Sequence, residues 1–293
     1  MTTIAFATCT ELLALDPDDA LLADAVRALG AEVVPRAWDD GAVDWSAFDL
    51  VLVRSPWDYH LRRDAFVHWA ARVERETRLL NHAATIAWNT DKTYLRTLAE
   101  RGVPTVPTAW VGQAGPSPSL ADLLAERGWA GGEAIVKPAV GLGSSGLLRV
   151  PAGDPGGAGA AHLSALAAAG DAMVQPFVPS LPVAGELSLV FFERRLSHVL
   201  RKRPAAGEFR VQPEFGAVTV PATATPRQLA VAERALACVD DDALLYARVD
   251  LVAGPADEVW LMELELVEPT LYFEAAPGSA ERFAQLVLDA ARA

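Results

Sequence analysis

The chain has 293 residues, 52% hydrophobic and 22% charged, a balance typical of a folded globular protein with room for two or three structural modules. Its formal net charge of -13 opposes contact with a phosphate backbone, so no nucleic-acid partner is expected. It has no long apolar run and no leader-like start, which favours a cytoplasmic protein without a membrane partner. Cys9 and Cys238 stand far apart, outside any metal-binding or disulfide pattern.

Strands and helices alternate through the first part of the chain. Strands are predicted over residues 3–9, 31–38, 49–55 and 78–81, and helices over 17–29 and 62–76. This alternation predicts a small parallel α/β module of the Rossmann-like kind. A further helix over 83–101 should end at Gly102, before Pro104.

The rest of the chain also predicts a mixed α/β fold. The predicted strands are 132–139, 146–150, 172–178, a hairpin over 187–204 that turns at 193–195, 244–252 and 258–266, and the predicted helices are 160–169, 226–238 and 280–292. The expected modules are 1–85, 86–178 and 179–293.

A glycine-rich segment matches the spacing G-x-G-x-x-G at Gly141, Gly143 and Gly146. A dinucleotide-binding site would need a helix to begin here, but the residues that follow are β-prone and soon reach Pro151. The loop should therefore join two strands, and its backbone N–H groups could approach phosphate oxygens while Lys137 adds a cation. The alternative is a flexible hairpin with a solvated lysine.

Two predicted strands near the C-terminus carry acidic residues. Their pairing across a turn at 254–257 places Asp250 opposite Met262 or Glu263, and Glu265 shares a face with Glu263. Three carboxylates that converge there would suit Mg²⁺ bridging nucleotide phosphates. The alternative is a solvated polar strand face.

A basic cluster stands out in this acidic chain and indicates an anionic ligand. Arg194 and Arg195, at a hairpin turn, are expected to be solvated, whereas Lys202 and Arg210 are candidates for ligand contact. The sequence has no HExxH, no G-x-S-x-G, no Walker motif and no kinase HRD or DFG motif. Protease, serine hydrolase, P-loop and kinase functions are disfavoured.

Taken together and in this order, these motifs resemble the ATP-grasp superfamily, in the branch that includes glutathione synthetase. The resemblance implies an α/β ATP-grasp fold with a Rossmann-like N-terminal module, a small lid subdomain and a C-terminal catalytic subdomain. It also implies ATP and Mg²⁺ as cofactors. One departure is that Glu265 occupies a position where the family usually has Asn, which adds a negative charge at the metal site.

The resemblance assigns roles position by position. The implied ATP-binding residues are Lys92, Lys137, Gly141, Gly143, Ser144, Ser145, Gly146, the adenine hinge Gln175, Phe177 and Val178, and Glu186 near the ribose. The implied metal ligands are Asp250, Glu263 and Glu265. Lys202 and Arg210 lie in a segment similar to the loop that closes on the acyl phosphate, which makes them candidates for charge stabilisation.

Three further segments, RSPWDYH, NHAATIAWNTDK and SHVLRKRPAAGEFRVQ, are similar to a subgroup that contains the O-ureido-serine cyclo-ligase of D-cycloserine biosynthesis. This similarity implies a ligase that activates a small amino-acid-like carboxylate as an acyl phosphate for attack by nitrogen. Ring closure and joining of two molecules both stay open, as do a homo-oligomer and a catalytically silent nucleotide-binding regulator. The substrate is expected near Arg54, Trp57, Asp58 and Tyr59, although Arg54 could instead form a structural salt bridge with Asp58.

Overall fold

The computed structural model describes residues 1–112 and 118–293. Within these residues the strands form three sheets, and the chain completes each sheet before it begins the next. Helices pack against each of them, which confirms the predicted α/β class. No helix in the described part of the chain is long and apolar enough to cross a membrane.

The first sheet is parallel and four-stranded. Its strands are β1 (Thr3–Thr8), β2 (Glu32–Ala37), β3 (Leu50–Ser55) and β4 (Leu79–Leu80), and its helices are α1 (Pro17–Ala28) and α2 (Arg63–Glu76). The strand order is β2-β1-β3-β4, as expected for the predicted parallel module. Helix α1 begins at a regular N-cap, since the Asp16 carboxylate accepts a hydrogen bond from the Asp19 backbone N–H at 2.9 Å.

The single helix predicted over residues 83–101 is wrong, because the structure has α3 (Ala83–Asn89) and α4 (Tyr94–Glu100) with a break between them. The Asn89 side chain donates to the Leu264 carbonyl and accepts from the Leu266 N–H, both at 2.8 Å. Lys92 N–H donates to the Ala139 carbonyl at 2.9 Å. The break is therefore fixed by bonds to distant strands, and it directs Lys92 towards them.

The second sheet is antiparallel. It contains β5 (Ala109–Val111), β6 (Ala134–Pro138), β7 (Leu148–Val150) and β8 (Ala172–Pro176) in the order β5-β8-β6-β7, with helices α5 (Leu120–Glu126) and α6 (Ala158–Ala169). A strand follows Gly146, so the dinucleotide-binding interpretation of the glycine motif is excluded. β5 and α5 were not predicted, because each is too short to show a periodic pattern.

The third sheet has five antiparallel strands and forms the floor of the molecule's main cavity. It contains β9 (Glu186–Phe192), β10 (Arg195–Arg203), β11 (Val218–Pro221), β12 (Tyr246–Ala253) and β13 (Val259–Glu265), with helices α7 (Leu181–Ala184), α8 (Pro226–Ala237) and α9 (Ser279–Arg292). The order is β11-β10-β9-β12-β13, and the predicted hairpin is β9–β10. β11 and α7 were not predicted.

Buried polar bonds join the first sheet to the third. The Asn81 side chain donates to the carbonyls of Tyr246 and Leu266 at 2.9 and 2.7 Å, and accepts from Leu245 N–H at 2.8 Å. The Tyr246 hydroxyl lies 2.8 Å from the Val53 carbonyl oxygen. Leaving such buried groups unpaired costs about 1–3 kcal/mol each, so these bonds fix how the two sheets meet.

Candidate active site

A cavity of about 540 Å³ lies between the second and third sheets and extends to the first module. The predicted site residues that line it are Trp57, Tyr59, Lys92, Lys137, Gly141, Gly143, Ser144, Ser145, Gln175, Phe177, Val178, Glu186, Lys202, Arg210, Asp250, Glu263 and Glu265. Gly146, Arg54 and Asp58 are outside its lining. The fold therefore brings distant segments of the chain to one place.

Two lysines face the cavity from different elements. Lys92, in the break between α3 and α4, lies 2.9 Å from the Glu263 carboxylate and donates to the Gly141 carbonyl at 2.6 Å. Burial opposes its charge, but Glu263 keeps the pKa of Lys92 above its usual value. Lys137 lies on β6, and burial lowers its pKa although the Glu263 charge acts in the opposite direction. Among the described residues no carboxylate lies within 4.0 Å of its ammonium group, whereas Lys92 has Glu263.

The glycine-rich loop connects β6 to β7 beside these lysines. Gly143, Ser144 and Gly146 have φ angles of 58°, 65° and 69°, in the left-handed region that glycine adopts without strain. A Cβ at Gly146 would lie 3.1 Å from the Pro138 ring, so both conformation and space favour glycine there. Gly146 thus shapes the loop from outside the cavity lining.

The predicted adenine hinge spans the end of β8 and the two residues after it. Gln175 donates from Nε2 to the Thr108 hydroxyl at 2.9 Å, and Phe177 N–H donates to the Glu133 carbonyl at 2.9 Å. The Arg149 guanidinium lies 4.0 Å from the centre of the Phe177 ring and 5.4 Å from that of Phe209. Because Phe209 belongs to the loop after β10, this contact joins the second sheet to the third.

The sheet register confirms that Asp250 lies opposite Glu263. Asp250 is buried and accepts from the Ser188 hydroxyl at 2.6 Å, while Lys202 and Arg248 lie 3.1 and 3.0 Å away. Burial opposes ionisation, but Arg248 and Lys202 hold the pKa of Asp250 well below its usual range. Both carboxylate oxygens of Asp250 are therefore engaged within the protein.

Lys202 lies deep in the same cluster. Its ammonium group is 2.7 Å from the carboxylate of Glu186, the residue that the resemblance places near the ribose. Burial and Arg248 disfavour the charged lysine, but Asp250 and Glu186 outweigh them and raise the pKa of Lys202. Lys202 is a fixed positive charge at the cavity floor.

Arg248 was not predicted as a site residue, although it lines the cavity beside the acidic strands. Its guanidinium pairs with Asp250 and Glu265 and donates from Nη1 to the Thr270 carbonyl at 3.1 Å. Burial raises the pKa of Glu265 to about 8 even though Arg248 lowers it. The spacing Arg-x-Asp, which places both side chains on one strand face, was the signal that could have identified Arg248.

Arg210 lies in the loop after β10 and also lines the cavity. It pairs with Glu208 at 2.6 Å, and its guanidinium lies 3.5 Å from the centre of the Phe215 ring. The hydrogen bond from Arg210 lowers the pKa of Glu208 to about 2. Elsewhere, the expectation that Arg194 is solvated is wrong, because it donates to the carbonyls of Leu236, Val239 and Asp241.

The substrate end of the cavity differs from the prediction at two residues. Arg54 is 1% exposed and pairs with Asp19 at 2.7 Å, so the expected alternative of a salt bridge to Asp58 does not form. Asp58 instead pairs with Arg62 at 2.6 Å. Arg54 also donates to the carbonyl of Pro269, and this places it behind the cavity wall as a structural residue.

Comparison with known proteins identifies the family. Residues 4–81 match the N-terminal domain of D-cycloserine synthetase DcsG, and residues 120–274 match the ATP-grasp domain of prokaryotic glutathione synthetase. The chain is 34% identical to the cycloserine biosynthesis protein DcsG of Streptomyces lavendulae over 301 residues, 98% of each chain. The chain belongs to the ATP-grasp ligases.

Solved structures agree with this assignment. The ligase resembles the crystal structure of D-cycloserine synthetase DcsG with a TM-score of 0.87 and 34% identity over 99% of each chain. It resembles D-alanine--D-alanine ligase from Bacillus anthracis complexed with ATP with a TM-score of 0.66 and 14% identity, over 100% of this chain and 98% of that one. The second likeness shows the fold alone. The predicted class of ATP-dependent carboxylate–amine ligase is confirmed, and its fold implies ATP binding.

The donor chemistry at the acidic strands fits a hard divalent cation, but the side chains are committed to one another. No group of three His, Cys, Asp or Glu side chains in the described ranges is arranged to hold a metal ion. Glu263 and Glu265 each contact one cationic side chain, whereas Asp250 contacts Arg248, Lys202 and Ser188. Glu263 and Glu265 are therefore the more available oxygen donors of the ligase.

Proposed function

We propose that this ligase phosphorylates the carboxylate of a small amino-acid-like substrate with ATP and that a nitrogen of the same molecule then displaces phosphate to close a ring. The cavity carries the proposal, because it gathers Lys92, Lys137 and Arg248 around space for a nucleotide and a small acid. The similarity to D-cycloserine synthetase along the whole chain supports ring closure and a place in antibiotic biosynthesis.

In this proposal ATP lies between the glycine-rich loop and the third sheet. Lys137 would meet a phosphate, since no carboxylate in the described part of the chain pairs with it, and Lys92 would exchange Glu263 for phosphate oxygens. The hinge at Gln175, Phe177 and Val178 would contact the adenine. Because the glycines of the loop carry no side chains, their backbone N–H groups can approach phosphate oxygens closely.

Mg²⁺ would be held by Glu263 and Glu265, and Asp250 could join them only by releasing a contact to Arg248 or Lys202. When bound, the ion would neutralise charge on the phosphate oxygens. A Glu265 carboxylate that held the ion would no longer pair with Arg248, and the Arg248 guanidinium would be free on that side.

Arg248 would then bind the carbonyl oxygen of the acyl phosphate, which becomes more negative as nitrogen attacks. Asp250, which also pairs with Lys202, holds the Arg248 guanidinium, and the Thr270 carbonyl accepts a further hydrogen bond from it. Such a preorganised cation in a buried site stabilises developing charge with little reorganisation. Catalysis is thus mainly positioning and electrostatics.

The proposal is tested by measuring ADP release with free amino acids and their ureido and aminooxy derivatives, with mass detection of products. One substrate should give ADP, phosphate and a cyclic product. The mass of this product should be that of the substrate less one water. Lys137→Ala should reduce ADP release at least a hundred-fold, because a preorganised charge near the phosphates is lost. A linear amide product would overturn ring closure in favour of joining two molecules. If no carboxylate increased ADP release, the ligase proposal would fail and a catalytically silent nucleotide-binding regulator would be the better description.

A further inference from the structure

Glu268 forms part of the cavity wall on the side of the first module. It follows β13 and is 7% exposed. The other acids at this face have a lysine or arginine within 4.0 Å, but among the described residues no lysine or arginine lies that close to the Glu268 carboxylate. These pairs are Glu186–Lys202, Asp250–Lys202, Glu263–Lys92 and Glu265–Arg248. Glu268 is therefore a buried carboxylate whose charge is left for a ligand to balance.

Neutral groups hold Glu268 in position. The buried Tyr59 lowers the pKa of Glu268 and so favours its ionised carboxylate, and the Tyr59 ring stacks on Phe66 with 4.9 Å between ring centres. The indole N–H of Trp57 donates to the Glu268 carbonyl at 3.2 Å. These contacts hold the Glu268 backbone and the Tyr59 ring in place without supplying a positive charge.

The surroundings of Glu268 favour a group that takes up a proton near neutral pH. Burial raises the pKa of Glu268 to about 7, Tyr59, Lys92 and Arg248 act in the opposite direction, and Glu263 adds to the increase. A base is most effective when its pKa lies near the working pH. The position of Glu268, a buried carboxylate at the cavity wall with no lysine or arginine of the described residues within 4.0 Å, does not depend on this pKa.

The position of Glu268 relative to Arg248 indicates which part of a ligand it meets. Glu268 shares the cavity lining with Arg248 and Lys92, and both cations lower its pKa, so its carboxylate lies within electrostatic reach of each. Lys92 and Lys137 occupy the glycine-loop side. An acyl phosphate with its carbonyl oxygen on Arg248 and its phosphate on the lysines would place the carbonyl carbon, and the nitrogen that attacks it, within reach of Glu268.

We propose that Glu268 accepts the proton that the substrate nitrogen loses when it attacks the acyl phosphate. The nitrogen lone pair forms the C–N bond, the C–O bond to phosphate breaks with its electron pair leaving on phosphate, and the N–H proton moves to the Glu268 carboxylate. This assignment rests on the proposed function above. Glu268, in the segment after β13, would then act on the substrate together with Arg248 on β12.

Glu268→Gln tests the assignment, because glutamine keeps the size of the side chain and cannot accept the proton. The probe is hydroxylamine, an external nucleophile that traps an acyl phosphate as a hydroxamate, used with the amino-acid derivative that gives ADP with the unmodified enzyme. The variant should form hydroxamate within a few fold of the unmodified rate. Its own product should form about a hundred-fold to ten-thousand-fold more slowly. Glu274→Gln, at an exposed position in the same segment, should change neither rate.

Two results would overturn the assignment while leaving the proposed function intact. If Glu268→Gln formed product within a few fold of the unmodified rate, the carboxylate would not be the proton acceptor. If hydroxamate and product fell together in a folded variant, Glu268 would serve carboxylate activation or substrate binding instead. An absence of carboxylate-dependent ADP with the unmodified enzyme would overturn both proposals. If the glutamine variant does not fold, Glu268→Asp replaces it in the test. Aspartate is a shorter base, so this variant should form product more slowly than the unmodified enzyme while its hydroxamate rate stays within a few fold.

Discussion

At the scale of single residues, Arg210 shows how an active-site cation can be held before substrate arrives. Its guanidinium is bound by the Glu208 carboxylate and covers the Phe215 ring. Both partners belong to the same loop, so the loop can move as a unit with its arginine already extended. To contact a phosphoryl group, Arg210 would exchange one bond to Glu208 for a bond to phosphate.

Arg210→Ala should therefore lower kcat and kcat/KM together by about a hundred-fold to a thousand-fold, because the contact is made mainly in the transition state. ATP affinity should stay close to normal. The measurement is ATP affinity and kcat on the same variant, with Arg203→Ala, exposed at the end of β10, as the control. An unchanged kcat would remove Arg210 from catalysis, and lost affinity with a normal kcat would assign it to ATP binding.

Residue types, spacing and motifs predicted most of the charged side chains that line the cavity, but not Arg248 or Glu268. The lysines, glycines and strand carboxylates follow from motifs within short segments. Arg248 belongs to a segment whose apolar residues predict a buried strand, and an arginine in a buried strand usually forms a structural ion pair. Glu268 becomes distinctive only because Tyr59 and Trp57, more than 200 residues earlier, close around it. Such long-range contacts are invisible in sequence periodicity.

At the scale of elements, the predicted strands and helices agree with the structure where the periodic pattern is long. The failure at residues 83–101 has a local and a tertiary cause. Residues 89–93 are mostly poor helix formers, and the Asp91 carboxylate accepts a hydrogen bond from Thr93 N–H at 2.9 Å. The Asn89 side chain bonds two backbone groups of the segment 264–266, and this outweighs the hydrogen bonds lost by ending α3. The break also delivers Lys92 to the cavity.

His198 links β10 to the segment that follows β13. Its Nε2–H donates to the Leu271 carbonyl at 2.7 Å, and Nδ1 lies 2.9 Å from the Ser197 hydroxyl, which can donate to it. Burial lowers the pKa of His198 despite the bond to Leu271, and the Arg282 charge lowers it further. The folded protein therefore favours the neutral ring, and the protonated ring favours unfolding.

A lowered pKa in the folded state means that stability is lost as pH falls below the unfolded value of about 6.5. Between pH 7 and pH 5, the Tm of the unmodified protein should fall more than that of His198→Gln, whose amide can keep the bond to Leu271 without titrating. Thermal unfolding across this range measures the difference. The exposed His68→Gln is the control and should follow the unmodified protein. Parallel pH profiles for all three proteins would contradict the role of His198.

At the scale of the whole molecule, the cavity exists because three sheets meet. The first sheet supplies Trp57 and Tyr59, the second supplies the lysine and the glycine-rich loop of β6–β7, and the third supplies the charged floor. The Arg149 contact to Phe177 and Phe209 ties the second sheet to the loop above the third. Alternation of strands and helices predicts each sheet but does not predict their relative placement, which depends on single buried bonds such as those of Asn81.

A nucleotide in this cavity would contact two sheets at once and should therefore stabilise the whole fold. A ligand that binds only the folded state adds about 2.7 kcal/mol at a hundred times its Kd, so Mg²⁺ with ATP should raise Tm clearly. Glu263→Gln removes one charged oxygen donor and frees Lys92, so the part of the increase that requires Mg²⁺ should shrink while the part given by ATP alone persists. Glu281→Gln, exposed on α9, is the matched control and should keep both parts. An unchanged Mg²⁺-dependent increase in Glu263→Gln would place the metal on other residues.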